Sequence, residues 1–144
     1  MSDLYARYKL SDTNYRVSKN AQLLNNPPCK LLQQIYDTYC KYKKFESVMP
    51  LFDEDLCAPR SDIIGYFDNS KLVAFSHYHR FNDKNVEAIQ FAWDYATPKL
   101  HLGIKSLRHE CAYYKAQGVE YIYVGQADEY KKKINGFEIC GSRF

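Results

Sequence analysis

Leu100-His-Leu-Gly-Ile-Lys-Ser-Leu-Arg-His-Glu-Cys-Ala-Tyr-Tyr-Lys-Ala-Gln-Gly-Val-Glu-Tyr-Ile-Tyr-Val124 is the stretch that decides the architecture. Leu100, Ile104, Leu107, Cys111 and Tyr114 recur at helical spacing and predict a helix from about Leu100 to Gln117 with one buried stripe. Gly118 can adopt the left-handed geometry that ends such a helix. The run from Val119 to Val124 is short and almost continuously apolar, the mark of a strand buried on both faces. A strand of that kind after a crossover helix pairs parallel to the strand before the helix.

Upstream, the same reading gives antiparallel structure. Ile63 to Phe67 and Leu72 to Phe81 are rich in β-formers and are separated by the turn formers Asp68-Asn69-Ser70. A second polar turn, Asn82 to Asn85, leads into Val86 to Tyr95, where Ile89, Phe91, Trp93 and Tyr95 alternate as for one packed face. Before the hairpin, Asn26 as N-cap and Pro27 in the first turn predict a helix to about Lys44, with Leu32, Ile35, Tyr36 and Tyr39 on its apolar stripe. Phe45 to Arg60, with two prolines and the acidic run Asp53 to Asp55, reads as loop with one short helical turn. After Gly125 a short helix would place Ala127, Tyr130 and Ile134 on one side, and Phe137 to Cys140 returns as a last strand. The expected fold class is mixed α+β: three layers, a mostly antiparallel central sheet with one parallel βαβ step, and flanking helices.

The 144 residues suit a single domain over 1–144. A hydrophobic share of 46% and a charged share of 26% exclude a disordered chain. No apolar run is long enough for a membrane helix, and the first residues lack the apolar core of a signal peptide, so a cytoplasmic protein with no membrane partner is expected. The net charge of +3 is too small to imply nucleic acid by itself. Aromatic residues reach 16%, with 14 Tyr against a single Trp, a surplus suited to half-exposed strands, clefts and stacking surfaces. Cys29, Cys40, Cys57, Cys111 and Cys140 form no metal or disulfide pattern and read as free thiols. His77-x-His79 could share one strand face, but no third ligand lies near, so no metal site is expected.

The order of elements, with Gly103 opening the central helix and the ending Tyr130-Lys-Lys-Lys-Ile-Asn-Gly136-Phe137-Glu138, resembles the GNAT acyltransferase fold. More specifically, the chain resembles the C-terminal domain of the arginyl-tRNA–protein transferase family, which includes the bacterial aspartate/glutamate leucyltransferases. Arg16, Lys19-Asn20 and Leu23 are similar to that family's basic stretch, and Ile35-Tyr36-x-x-Tyr39 to its Leu-Tyr-x-x-Tyr helix. Trp93-Asp94, Leu102-Gly103-Ile-Lys-Ser106 and Leu107-Arg108-His-Glu110 look like its Tyr-Asp-Pro, Ser-Leu-Gly-x-x-Ser and Leu-Arg-Glu segments. Tyr121-Ile-Tyr123-Val-Gly125 matches its Tyr-x-Leu-Gly strand. The loop after Gly125 is shorter than the family's and lacks its Cys-Lys-Met piece.

The resemblance implies transfer of an acyl or aminoacyl group to a primary amine, such as a protein N-terminus or a small molecule. It implies no tightly bound cofactor, a donor that is an aminoacyl-tRNA or an acyl-coenzyme A, and a tRNA 3′ end as partner in the first case. The donor's phosphates would meet the free amides of Leu102, Gly103, Ile104 and Lys105 at the positive end of the helix; the bland alternative is that Gly103 only lets the helix pack closely on the sheet. Aligned on Gly103, Pro98 to Gly103 keeps only the last position of the common coenzyme A loop, which favours the aminoacyl-tRNA donor. Tyr130 would be the leaving-group acid or a core tyrosine, Asp94 would order the amine or cap a turn, and His101 would be a base, a phosphate donor or a solvated side chain. Arg16, Lys19, Lys99, Arg108 and Lys131 would contact RNA or form a solvated basic face. No cysteine or serine lies in a nucleophile motif, so direct attack by the amine is expected. An acetyl-coenzyme A N-acetyltransferase and a catalytically silent RNA- or protein-binding module are the alternatives.

Overall fold

The computed structural model describes residues 4–43, 53–94, 102–126 and 132–142. Local hairpins build its middle. β3 (Ser61–Asp68) and β4 (Lys71–Arg80) pair antiparallel across Asn69-Ser70, whose φ values of 49° and 69° are left-handed. That turn geometry matches the right-handed twist of the strands it joins. β5 (Asn85–Trp93) follows a turn in which Asn82 Oδ1 accepts hydrogen bonds from the amides of Lys84 at 2.8 Å and Asn85 at 3.0 Å. The long helix, called α3 below, spans Leu102–Ala116 and leads to β6 (Tyr121–Gln126), which is parallel to β5 as expected.

Gly118, at φ +86°, closes α3: its amide reaches Lys115 O at 3.1 Å, and the Val119 amide reaches Tyr114 O at 3.1 Å. This pair of bonds satisfies the last carbonyls of the helix. Because Val119 completes the cap and the Glu120 amide is held by Lys84 O, the strand begins at Tyr121 rather than Val119.

Two strands near the N-terminus complete the sheet, and neither is expected from the sequence. β1 (Leu4–Lys9) lies between β6 and β7 (Phe137–Ser142) and is antiparallel to both. β2 (Ala21–Leu23) pairs with β3. The seven-stranded order is β2-β3-β4-β5-β6-β1-β7. The partners of β1 are more than a hundred positions away in the chain, so no local pattern announces them. Gly136 is required here: at φ +81°, a Cβ would lie 2.5 Å from Lys9 O.

The remaining differences are at element ends. α1 (Cys29–Lys43) starts after Pro28, not at Pro27, and its first bond runs from the Leu32 amide to Pro28 O at 3.0 Å. The second proline keeps Pro27 out of the helical region. α2 (Asp53–Leu56) is the single turn expected in that loop. In β5 the fully packed residues are Val86 and Ala92, whereas Ile89 is 46% exposed. A register shift between His77 and Tyr78 of β4 breaks the expected alternation. The helix expected around Ala127 and Tyr130 lies outside the described residues, although Ile134 is buried as predicted.

The sheet separates two packed layers. Ile63, Leu72 and Phe75 face α1, where Leu32, Ile35, Tyr36 and Cys40 meet them. Ile64, Tyr66 and Tyr78 face α3, where Leu107, Cys111 and Tyr114 meet them. The cysteines are free, with Cys40 and Cys111 serving these cores.

Candidate active site

Parallel pairing of β5 with β6 stops at Glu87 and Tyr123. Residues 88–93 and 124–126 run on without pairing each other, so the sheet opens at the carboxyl ends of its two parallel strands. The opening is a cavity of about 210 Å³. Ala88 to Phe91 form one wall, Val124 another, and Gly103, Ser106 and Leu107 of α3 a third. Tyr39 of α1 also lines it, so the gap passes between the strands from one helix layer toward the other.

The first turn of α3 borders this gap. Its leading amides have no partner within the helix, and the helix dipole makes that end positive. A Cβ built on Gly103 meets no described heavy atom within 4 Å. Among the described residues, close packing on the sheet therefore does not explain this glycine, whose bare backbone lines the cavity.

The floor carries a group that the sequence reading did not single out as functional. Glu110 is 2% exposed and lines the cavity together with Ser76 and Tyr78. Its Oε2 accepts hydrogen bonds from Tyr66 and, at 2.6 Å, from Ser76, and its Oε1 accepts one from Tyr78. An unpaired buried carboxylate would be prohibitively costly, and three hydroxyl donors offset much of that cost. Burial pushes the Glu110 carboxyl up to about 7, and the bonds from Ser76, Tyr66 and Tyr78 hold it below where burial alone would put it. Tyr66 and Tyr78 are pushed well above the usual tyrosine value, first by burial and then by the adjacent carboxylate. Ser106 O lies 3.3 Å from the Tyr66 hydroxyl, a second acceptor for the same proton.

Around this floor the packing is aromatic and fixed. His109 is buried, stands edge-on to Tyr66 at 5.8 Å, and accepts the Ser18 amide on Nδ1 at 2.8 Å; burial holds its pKa below the ordinary histidine value. Tyr114 donates to Asp62 at 2.8 Å, and Asp62 pairs with Arg80 at 2.7 Å.

The expected site residues are distributed unevenly. Gly103 lines the cavity, and Leu102, Ile104 and Lys105 share its turn, with Lys105 exposed. Asp94 follows β5, forms an ion pair with Lys71 at 3.8 Å, and is not among the cavity-lining residues. Arg16 and Lys19 are exposed on a segment that lies along α3: Tyr15 beneath Arg108 at 5.9 Å and Ser18 against His109 fix it there. The segment that carries Arg16 and Lys19 is thus held along α3 next to Arg108. Tyr130, His101, Lys99 and Lys131 lie outside the described residues. His77 Nε2 pairs with Ser61 Oγ at 3.0 Å, and the His79 ring meets Phe81 edge-on. No group of three metal-binding side chains gathers among the described residues.

No protein-family model and no curated protein matches the chain. Solved structures do. The C-terminal domain of an Agrobacterium fabrum protein assigned as a lysylphosphatidylglycerol synthetase superposes with a TM-score of 0.68 at 13% identity, covering 87% of this chain and 47% of that one. The L-PGS of Bacillus licheniformis gives 0.66 at 16% identity over 87% and 46%. A Novosphingobium aromaticivorans protein assigned to the GNAT acetyltransferases gives 0.64 at 14% identity over 96% and 60%. The chain spans about half the length of the first two. At these identities the comparison establishes the fold: a GNAT-type acyltransferase fold, as the element order suggested.

Proposed function

We propose that the protein transfers an acyl or aminoacyl group from an activated donor to a primary amine, with the β5–β6 gap as the site. The observation that carries this reading is the open cavity between the splayed strands, bordered by the bare first turn of α3 and floored by a buried carboxylate. An anionic donor would enter over Leu102 to Lys105, where amides and the helix dipole attract phosphate. Its acyl group would reach the gap, and the amine would attack the carbonyl carbon directly. The donor we favour is an aminoacyl-tRNA, as in the arginyl-tRNA–protein transferase family that the motifs resemble. Two observations support it: the coenzyme A loop pattern is not kept before Gly103, and the segment that carries Arg16 and Lys19 is held along α3 next to Arg108. Lys99 and Lys131 would extend that surface, and Tyr130 is the candidate leaving-group acid by its sequence position. Asp94 and His101 are proposed for the amine and the donor phosphate respectively.

Thermal unfolding with each donor tests the reading. A ligand that binds only the folded protein stabilises it by about 2.7 kcal/mol at a hundredfold excess over Kd. An aminoacyl-tRNA is expected to raise the Tm of the wild-type protein and not that of Gly103→Leu, whose side chain would occupy the open space. Stabilisation by acetyl-coenzyme A instead would make the protein an N-acetyltransferase. Stabilisation by neither would leave a binding module on a transferase fold.

A further inference from the structure

Glu110 is more than a buried cross-link between helix and sheet. Its three hydrogen-bond donors come from two strands, Tyr66 on β3 and Ser76 and Tyr78 on β4, and its own helix brings it to the floor of the gap. Oε2 already accepts two bonds, whereas Oε1 accepts one among the described residues, so Oε1 has acceptor capacity left. Among the described residues, every cavity-lining side chain other than Glu110 and the tyrosines Tyr39 and Tyr78 is neutral and non-titrating. Among the described residues nothing cationic lines the gap to neutralise the carboxylate.

The surroundings also accommodate the carboxyl in both protonation states. Ionised, Glu110 accepts from three hydroxyls. Protonated on Oε2, it donates to the Tyr66 oxygen while the Tyr66 proton turns to Ser106 O at 3.3 Å; protonated on Oε1, it donates into the gap. A carbonyl oxygen keeps a lone pair beyond its helical bond, so no group is left unpaired by that turn. A purely structural carboxylate has no need of this second arrangement.

We propose that Glu110 is the base that takes the proton of a substrate ammonium group entering the β5–β6 gap. This rests on the reading of that gap as the transfer site. The ammonium hands one proton to Oε1 and becomes a neutral amine. Its lone pair forms the C–N bond at the donor carbonyl, and the C–O bond of an ester, or the C–S bond of a thioester, then breaks. The second amine proton goes to the leaving oxygen or sulfur, and the proton on Glu110 returns to solvent through the gap. The groups facing Glu110 are Tyr66 from β3, Ser76 and Tyr78 from β4, and Cys111 and Tyr114 from α3, with Asp62 and Arg80 beyond Tyr114. Burial keeps Cys111 and Tyr114 protonated, helped by Glu110 at the first and by Asp62 at the second, so of these groups Glu110 is the one pushed to about 7.

Calorimetric titration of the full chain with n-propylamine, in buffers of different ionisation heat, tests the proposal. At about pH 6 binding of the ammonium should release close to one proton, because Glu110 must ionise; at about pH 8 the release should vanish and the affinity should be about tenfold higher. Glu110→Gln should show neither the release nor the pH dependence. Ser76→Ala keeps the carboxyl but removes a bond that favours its ionised form, so the window of proton release should move to higher pH. Proton release that persists in Glu110→Gln, or a window that Ser76→Ala does not move, overturns the proposal. If the amine does not bind while a donor still raises the Tm, Glu110 is a structural clamp and the transfer reading stands without it. If neither amine nor donor binds, both fall.

Discussion

The two layers packed on the sheet differ in kind. Between α1 and the sheet, Leu32, Ile35, Leu56, Ile63, Leu72, Phe75 and Ala92 form a cluster without a buried carboxylate. Between α3 and the sheet, equally buried positions hold Ser76, Ser106, His109 and Glu110 among the apolar side chains. A chain that needed only a stable fold would fill both layers alike, because apolar burial stabilises about 25 cal/mol per Å² and a buried carboxyl does not. Both layers bury apolar side chains, but only the second also buries a carboxylate, beside the place where the strands part.

The largest expected effect lies in the α1 layer. Phe75 is fully buried against α1, and Phe75→Ala should lower unfolding free energy by about 3–5 kcal/mol, read as a lower midpoint in urea with little change in slope. A loss under about 1 kcal/mol would mean that the α1 layer is not the tightly packed one, and the contrast would weaken.

In the α3 layer the expected effect depends on pH. The Glu110 carboxyl titrates near 7 when folded and near 4.5 in an unfolded chain. Between those values the folded state binds more protons, so stability falls as pH rises. The contribution is fully present below about 4.5 and is lost through about 7, by up to about 3 kcal/mol. Unfolding free energy followed across that window should slope downward in the wild-type protein, and Glu110→Gln should remove most of the slope. A wild-type profile that rises there instead would place Glu110 in the company of ordinary surface carboxylates.

The same contrast explains what could be read from the sequence. The hairpins and the α3–β6 crossover are local: turn formers, Gly118 and an apolar run announce them within a few residues. β1 could not be read this way, since its ladders join Tyr5 to Gln126 and Ala6 to Ile139. The start of α3 was legible because a helix start with a glycine has a distinctive pattern. Glu110 was overlooked although a signal was present. It lies three residues after Leu107 and four before Tyr114, on the stripe predicted to be buried, where an acid cannot face water. Its hydroxyl partners stand on other strands, and only the folded sheet assembles them.

The smallest expected effect on stability separates packing from function at the mouth of the gap. Gly103 is helical, and a methyl there meets no described heavy atom within 4 Å. Alanine costs less backbone entropy than glycine in a helix, so Gly103→Ala should leave the fold intact and raise stability by about 0.5 kcal/mol. The same methyl would stand between a phosphate and the amides of the first turn. Donor affinity, measured from the ligand-induced rise in Tm, should fall about tenfold, equivalent to about 1.4 kcal/mol. A stabilised variant that binds donor as well as the wild-type protein does would show that the open space at Gly103 serves no ligand. A destabilised one would show that the helix start needs glycine for its own conformation. Only a gain in stability joined to a loss of binding fits a protein whose α3 layer is shaped by its substrate.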